Sequence, residues 1–262
     1  MPFYKKFIYS ITLTLAIWCF GLVTKAQSAD SYYYQIKVYH YKTQKQEGLI
    51  DDYLKKTYLP FLHQNNIFNI GVFKPVTADT ADRKIYVFTA YKKWDDVQII
   101  DERVKKLNNT AKSSADYVNA AYNDAPYTRV ESTLLKAFVT RLKPVLPKLS
   151  GDRAKRVYEL RSYESATEQL HYNKVRMFNS GETDLFDRLG FNPVFYGSVI
   201  AGDRMPNLMY LTTFNDKADR DKHWDAFGND AQWKDLSGRK EFQHNVSKGD
   251  IIFLYPTDYS DF

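Results

Sequence analysis

Residues 34–39 read YQIKVY and residues 158–163 read YELRSY, so the two stretches align at an offset of 124 residues. Two further segments recur at an offset of 123: Phe68-Asn69 matches Phe191-Asn192, and TAY at residues 89–91 matches TTF at residues 212–214. These three strand-like segments keep nearly one spacing, which indicates a duplicated domain because a solenoid would repeat every ~20–50 residues.

The composition is typical of a globular protein. The chain has 262 residues, of which 44% are hydrophobic and 26% are charged, and this excludes a disordered or collagen-like chain. Aromatic residues make up 16% and supply large side chains for cores and grooves. The length permits one large domain or two small ones, and the repeat favours two.

The first 26 residues have the order of a secretory signal peptide. Lys5 and Lys6 precede an apolar run over residues 7–23, and Thr24-Lys25-Ala26 then places small residues where a signal peptidase reads them. The alternative is a membrane anchor, because the run approaches the ~20 residues that a spanning helix needs. We expect cleavage before Gln27 and a secreted or periplasmic protein.

Cleavage would change both the cysteine content and the charge. The only cysteine, Cys19, lies in the apolar run, so the mature chain would have no disulfide and no thiolate metal site. Loss of three lysines lowers the formal net charge from +6 to +3, and no run of five or six like charges remains. We therefore expect no nucleic-acid partner, and no membrane partner after cleavage.

Hydrophobic periodicity predicts the same order of elements in each half. In the first half, strands are predicted at residues 32–41, 69–76, 84–91 and 128–138, and helices at 44–66 and 94–122. In the second half, strands are predicted at residues 156–163, 193–201, 208–214 and 250–255, and helices at 166–189 and 217–246. The predicted units are a signal peptide (1–26), an N-terminal domain (30–141), a linker (142–155) and a C-terminal domain (156–262).

The order βαββαβ is the ferredoxin-like plan, an α+β fold with both helices on one face of a four-stranded sheet. The other face needs cover, and the simplest cover is the second copy, sheet against sheet, as an intramolecular dimeric α/β barrel. We expect Ile36, Val38, Tyr158 and Leu160 to face the helices. Their neighbours Gln35, Lys37, Tyr39, Glu159, Arg161 and Tyr163 would then point between the sheets.

The second half resembles the NIPSNAP family over about residues 156–256. The resemblance rests on VYELRSY at residues 157–163, RMPNLMYL at 204–211 and NDAQWK at 229–234. The first half is a weaker match: YTRVESTLLKAF at 127–138 is similar to the N-terminal copy of secreted, tandem-domain bacterial relatives, but Lys84-Ile85 replaces the Asn207-Leu208 pair. The resemblance implies a dimeric α/β barrel. Its superfamily includes cofactor-free monooxygenases, haem peroxidases and binding proteins, so it does not choose an activity.

The sequence contains no local motif for catalysis, a metal or a cofactor. No two glycines are spaced as Gly-x-Gly, there is no Gly-x-Ser-x-Gly, and no two histidines lie within 20 residues of each other. We assign no catalytic residue, no metal ligand and no cofactor. One residue carries a weaker alternative: His171 could be an axial haem ligand or a general base, or a helix histidine without such a role.

The candidate ligand-binding residues lie in the second half. Glu159 and Arg161, with Tyr163, Tyr196 and Tyr210, could orient a small apolar or aromatic ligand between the sheets, or form a structural ion pair packed in tyrosines. Arg204 could receive an anionic group, and Asn207 beside it could bind ligand or cap the turn.

Two classes of function follow: a non-catalytic or ligand-binding protein, and, as the alternative, an oxidative enzyme that is cofactor-free or haem-dependent. A free strand edge would also permit homo-oligomers.

Overall fold

The computed structural model describes residues 31–77, 79–110 and 112–262, so the expected signal peptide lies outside the described residues. These residues form eight strands: β1 (Tyr33–Tyr41), β2 (Gly71–Pro75), β3 (Arg83–Tyr91), β4 (Arg129–Ala137), β5 (Val157–Glu164), β6 (Asn192–Ala201), β7 (Asn207–Phe214) and β8 (Lys248–Pro256). All eight strands lie where the hydrophobic alternation predicts them.

The helices also follow the prediction. They are α1 (Gln44–Tyr53), α2 (Leu59–Gln64), α3 (Trp94–Asn108), α4 (Ala115–Val118), α5 (Glu168–Met177), α6 (Thr183–Arg188), α7 (Lys217–Asn229) and α8 (Ala231–Gly238). Side chains of Thr43, Thr167 and Asp216 cap the first turns of α1, α5 and α7. Within the described part of the chain, no helix is both long enough and apolar enough to cross a membrane.

A π-helical segment joins the helices of the first predicted helical stretch in each half. Leu54–Tyr58 connects α1 to α2, and Phe178–Glu182 connects α5 to α6. The two segments are again 124 residues apart, so the offset of the sequence repeat holds for this local irregularity as well. Single-turn π segments widen a helix locally and are frequent at functional positions.

The strands form one closed antiparallel barrel in the order β1-β3-β2-β8-β5-β7-β6-β4. Each half arranges its strands identically, with its fourth strand beside the first, then the third, then the second. The ladders β2–β8 and β4–β6 join the halves edge to edge. The sheets we expected to pack as separate layers are therefore continuous. Every described strand has a neighbour on both sides, so no strand edge is free for association, and homo-oligomerisation stays a prediction.

The barrel interior holds an apolar core drawn from both halves. Ile36 and Val38 of β1 and Tyr158 and Leu160 of β5 belong to this core, together with Phe73, Phe88, Phe195 and Phe262. Our assignment of strand faces was therefore wrong: the residues expected under the helices fill the barrel, and those expected between the sheets lie under the helices. The reason is steric, because inward side chains of a closed eight-stranded barrel meet each other and leave little room for charged groups.

Arg153 in the predicted linker holds the last residues of the chain against the barrel. Its guanidinium donates to the carbonyl oxygens of Thr257 at 2.9 Å, Ser260 at 3.0 Å and Phe262 at 2.9 Å. The Phe262 ring enters the core and contacts Phe73 and Tyr158, with ring centroids 5.6 and 6.3 Å apart. One end of the barrel is thereby filled.

Candidate functional site

Glu159 is the centre of a buried polar network between β5 and α7. Its side chain is 0% exposed and accepts hydrogen bonds from three residues. Arg161 Nε lies 2.5 Å from Oε1, Arg220 Nε lies 2.7 Å from Oε2, and Trp224 Nε1 lies 3.0 Å from Oε2. Arg220 Nη2 also reaches Oε1 at 3.1 Å. The carboxylate is thus compensated by two guanidinium groups.

Arg161 extends the network to two of the predicted tyrosines. Its Nη1 donates to the Tyr163 hydroxyl at 2.7 Å, and that hydroxyl lies 3.0 Å from the Tyr210 hydroxyl. The guanidinium stacks on the Trp224 ring, 3.6 Å from its centroid. The structure therefore brings Glu159, Arg161, Tyr163 and Tyr210 together as predicted, but on the outer face of the barrel.

Arg220 and Trp224 were not predicted from the sequence. They lie 61 and 65 residues beyond Glu159, in a predicted helix. The hydrophobic periodicity predicts that helix but not which of its side chains face β5. A buried carboxylate needs a cationic partner, and this requirement alone could have pointed to an arginine such as Arg220. Because all of these donors come from the chain itself, Glu159 presents no free acceptor to a ligand, and the geometry favours the structural alternative for this ion pair.

Lys174 and Glu182 form a second buried pair beside this network. Lys174 Nζ lies 3.0 Å from Glu182 Oε2 and 4.6 Å from the Phe178 ring centroid. Burial raises the pKa of the Glu182 carboxyl, although Lys174 and Arg161 oppose that shift. The carboxyl belongs to the segment Phe178–Glu182, in which Gly181 leaves helical geometry at φ 140° and ψ −15°.

His171 lies on α5 and is 4% exposed. Its Nε2 is 2.7 Å from the Ser198 hydroxyl of β6, and burial lowers the pKa of its imidazole. The ring is enclosed and its Nε2 is engaged by serine, whereas its buried Nδ1 has no hydrogen-bond partner among the described residues. A role as haem ligand or general base stays a prediction.

The remaining candidates lie apart from Glu159. Asn207 Nδ2 donates to the Ser162 hydroxyl at 2.8 Å across the β5–β7 ladder, so its side chain bridges two strands. Tyr196 stacks on Tyr210 with centroids 5.6 Å apart, and no hydrogen-bond partner of its hydroxyl is found among the described residues. Arg204 pairs with Asp250 at the mouth of the barrel.

A cavity of about 260 Å³ opens at that mouth, at the end opposite Phe262. Its floor is the apolar core: Ile36, Val38, Leu160, Met209 and Ile252. Its rim carries charges from four strands or loops: Lys84, Glu131, Asp203, Arg204 and Asp250. Arg204 is neutralised by Asp250 and, at 3.9 Å, by Glu164, which also hold its pKa above the ordinary value. The arrangement suits an apolar body with an uncharged polar end better than the anionic group expected at Arg204.

The barrel and its helices define a class, the closed antiparallel α/β barrels, and comparison with known proteins agrees with it. The NIPSNAP family model matches residues 158–261, which confirms the resemblance of the second half. No curated protein matches this sequence.

Two solved structures align along most of the chain. A provisionally assigned monooxygenase from Lactobacillus acidophilus NCFM is 12% identical over 86% of this chain and 94% of its own, with a TM-score of 0.54. A provisionally assigned monooxygenase from Fusobacterium nucleatum is 10% identical over 86% and 92%, with a TM-score of 0.55. A NIPSNAP family protein from Agrobacterium tumefaciens is 17% identical over 40% of this chain and 96% of its own, with a TM-score of 0.36. At 10–12% identity, the likeness to the two monooxygenase structures shows the fold alone.

Proposed function

We propose that this protein is an exported, non-catalytic binding protein made of two tandem ferredoxin-like domains of the NIPSNAP type, and that its ligand is a small neutral apolar or aromatic molecule held in the barrel mouth. The observation that carries the proposal is the cavity of about 260 Å³ with an apolar floor and a charged rim. Small-molecule sites have this character, with apolar walls and few polar groups.

The closed end of the barrel supports entry from the mouth. Tyr158 and Phe262 pack deep in the core, whereas Leu160 and Ile252, which pair across β5 and β8, lie on the cavity floor. A ligand in the mouth would cover these apolar groups and gain about 25 cal/mol for each Å² of apolar surface removed from water. The identical strand order of the halves and the offset of 124 residues support the tandem arrangement.

Methionine methyl resonances provide a direct test. Protein labelled with ¹³C at the methionine methyls is titrated with 1-naphthol, a neutral aromatic probe. Met209 lines the cavity, whereas Met177 is buried in a separate cluster with Leu236 and Phe242. We expect the Met209 resonance to shift saturably while that of Met177 stays in place. Equal shifts of both, or no shift of Met209, would contradict the proposal.

A pair of phenylalanine substitutions gives the control. Thr133→Phe fills the cavity from β4, and Val130→Phe adds the same ring to that strand at a position outside the cavity lining. We expect the first variant to abolish the Met209 response and the second to keep it.

Export is tested separately. The apolar run and the small residues before Gln27 predict a mature protein that lacks residues 1–26. Intact mass and N-terminal sequencing of protein from the medium or periplasm should show that loss. Full-length protein in the membrane fraction would favour the anchor.

A further inference from the structure

A second groove lies between the predicted linker and the second half, away from the barrel mouth. The linker follows β6 after β4 has ended, and the backbone N–H of Val145 donates to the carbonyl of Val194 at 2.9 Å. The groove measures about 410 Å³, within the range of small-molecule sites. Its lining includes one predicted ligand-binding residue, Tyr196.

The walls of this groove are apolar and partly open to solvent. Pro193 of β6 lines one side, with Phe191 and Phe195 buried beneath it, and the linker contributes Val145 and Leu146, which are both exposed. Linker residues between two domains are usually polar, so this pair of aliphatic side chains beside aromatic rings marks a surface suited to an apolar ligand.

The charges around the groove are unbalanced. Arg141 is paired with Asp184 at 2.9 Å and with Asp187 at 2.5 Å, so this group carries one negative charge in excess. Lys143 and Lys148 also line the groove, and neither forms an ion pair with any residue that the structure describes. The two ammonium groups outweigh the single excess negative charge, which favours an anionic head group beside the lysines.

Tyr196 supplies an independent observation. It is 1% exposed and lines the groove, yet its hydroxyl has no hydrogen-bond partner in the described part of the chain. Asp187, Arg141 and Glu182 are the charged groups that act on this hydroxyl. A buried donor without an acceptor is costly, and a carboxylate oxygen placed beside Arg141 would supply the acceptor.

We propose that this groove binds an aromatic or apolar monocarboxylate. The apolar body packs against Val145 and Leu146 of the linker and Pro193 of β6. The carboxylate lies near Lys143 and Lys148 and accepts from the Tyr196 hydroxyl. This site is separate from the barrel mouth and does not depend on the proposed function.

A charge series on one carbon skeleton tests the proposal. Calorimetric titrations of the folded protein use 4-phenylbutanoate, 4-phenylbutanol and 4-phenylbutylamine, which differ only in the terminal group. We expect the carboxylate to bind about tenfold more tightly than the amine, with the alcohol between them. Equal affinities, or a preference for the amine, would overturn the assignment.

Substitutions of lysine locate the site. The double variant Lys143→Ala/Lys148→Ala should weaken 4-phenylbutanoate about fivefold or more and leave the alcohol unchanged. The matched control Lys234→Ala/Lys240→Ala removes two lysines of α8 and of the short helix after it, and should change neither affinity. Equal losses in both variants would mean a general charge effect and would refute the site. A shift of the Met209 methyl by 4-phenylbutanoate would place the ligand in the barrel mouth and refute it as well.

Tyr196→Phe distinguishes a binding role from a structural one. If the hydroxyl donates to the bound ligand, its removal lowers the affinity for 4-phenylbutanoate about threefold and leaves the melting temperature of the free protein unchanged or raised. A lowered melting temperature with unchanged affinity would show that the hydroxyl serves the fold. Val145→Trp, which fills the groove from the linker, should abolish binding of all three compounds.

Discussion

Glu159→Gln is the substitution that tests the buried polar network between β5 and α7. The variant keeps the size of the side chain but removes its charge, and it places an amide NH₂ where the native oxygens accept from Arg161, Arg220 and Trp224. Two guanidinium groups then share a buried site with no carboxylate between them. Fewer hydrogen bonds remain, and at least one donor faces another donor.

The magnitude follows from burial. Removing one member of a buried ion pair costs about 3–5 kcal/mol, because the remaining charge is left without compensation. The Arg161 and Arg220 side chains retain 11% and 16% exposure, so water relieves part of the cost and the lower end applies. A loss of about 3 kcal/mol lowers the melting temperature of a protein of this size by about 6–12 °C.

The assay is urea unfolding followed by circular dichroism, because urea leaves the ionic strength low and does not screen the pair. Glu164→Gln is the matched control on the same strand: Glu164 is partly exposed and its contacts with Arg204 and Lys248 are 3.9 and 3.8 Å long. That variant should lose less than about 1 kcal/mol. If Glu159→Gln were as stable as the control, the network would not stabilise the fold and our account of its role would be wrong.

Three further predictions concern other buried groups. Arg153→Met should release the segment that ends at Phe262, which hydrogen exchange would detect as faster exchange of its amides, with those of β6 unchanged as the internal reference. Burial raises the pKa of Glu182 above its ordinary value of 4.5, so the folded state retains a proton that the unfolded state releases. The unfolding free energy should therefore fall as the pH rises from about 4.5 through the raised pKa. In Glu182→Gln this pH dependence should be flatter. Burial lowers the pKa of His171 below 6.5, so stability should be lost as pH falls below about 6.5, and His171→Gln should lose less over the same range in paired melts.

Much of the fold could be predicted from periodicity. The strand Tyr33–Tyr41 and its counterpart in the second half, Val157–Glu164, carry strong alternation of side-chain type. The helices carry apolar side chains at helical spacing, so the elements and their order follow from local patterns. The repeat added the long-range information that each half is built alike. Local patterns do not show which face of each strand lies inside the barrel and which lies under the helices, because both faces are buried.

The error in the candidate site has the same origin. Alternation separates Glu159 and Arg161 from Tyr158 and Leu160 but does not say which set lies under the helices. Both faces are buried, so both tolerate large side chains, and only the rotation of α7 reveals that Arg220 meets Glu159. The groove at Val145 could not be predicted from the sequence either. Its two walls are about 40 to 50 residues apart in the chain and come together only because the linker runs beside β6.

The two seams of the barrel have a consequence for the isolated halves. Both seams, β2–β8 and β4–β6, unite the second strand of one half with the fourth strand of the other. If the polypeptide were severed at the linker, residues 156–262 would expose β6 and β8 as complementary borders. Two such fragments could pair these borders across a twofold axis and rebuild a closed ring, whereas the covalent linker makes the pairing intramolecular and independent of concentration.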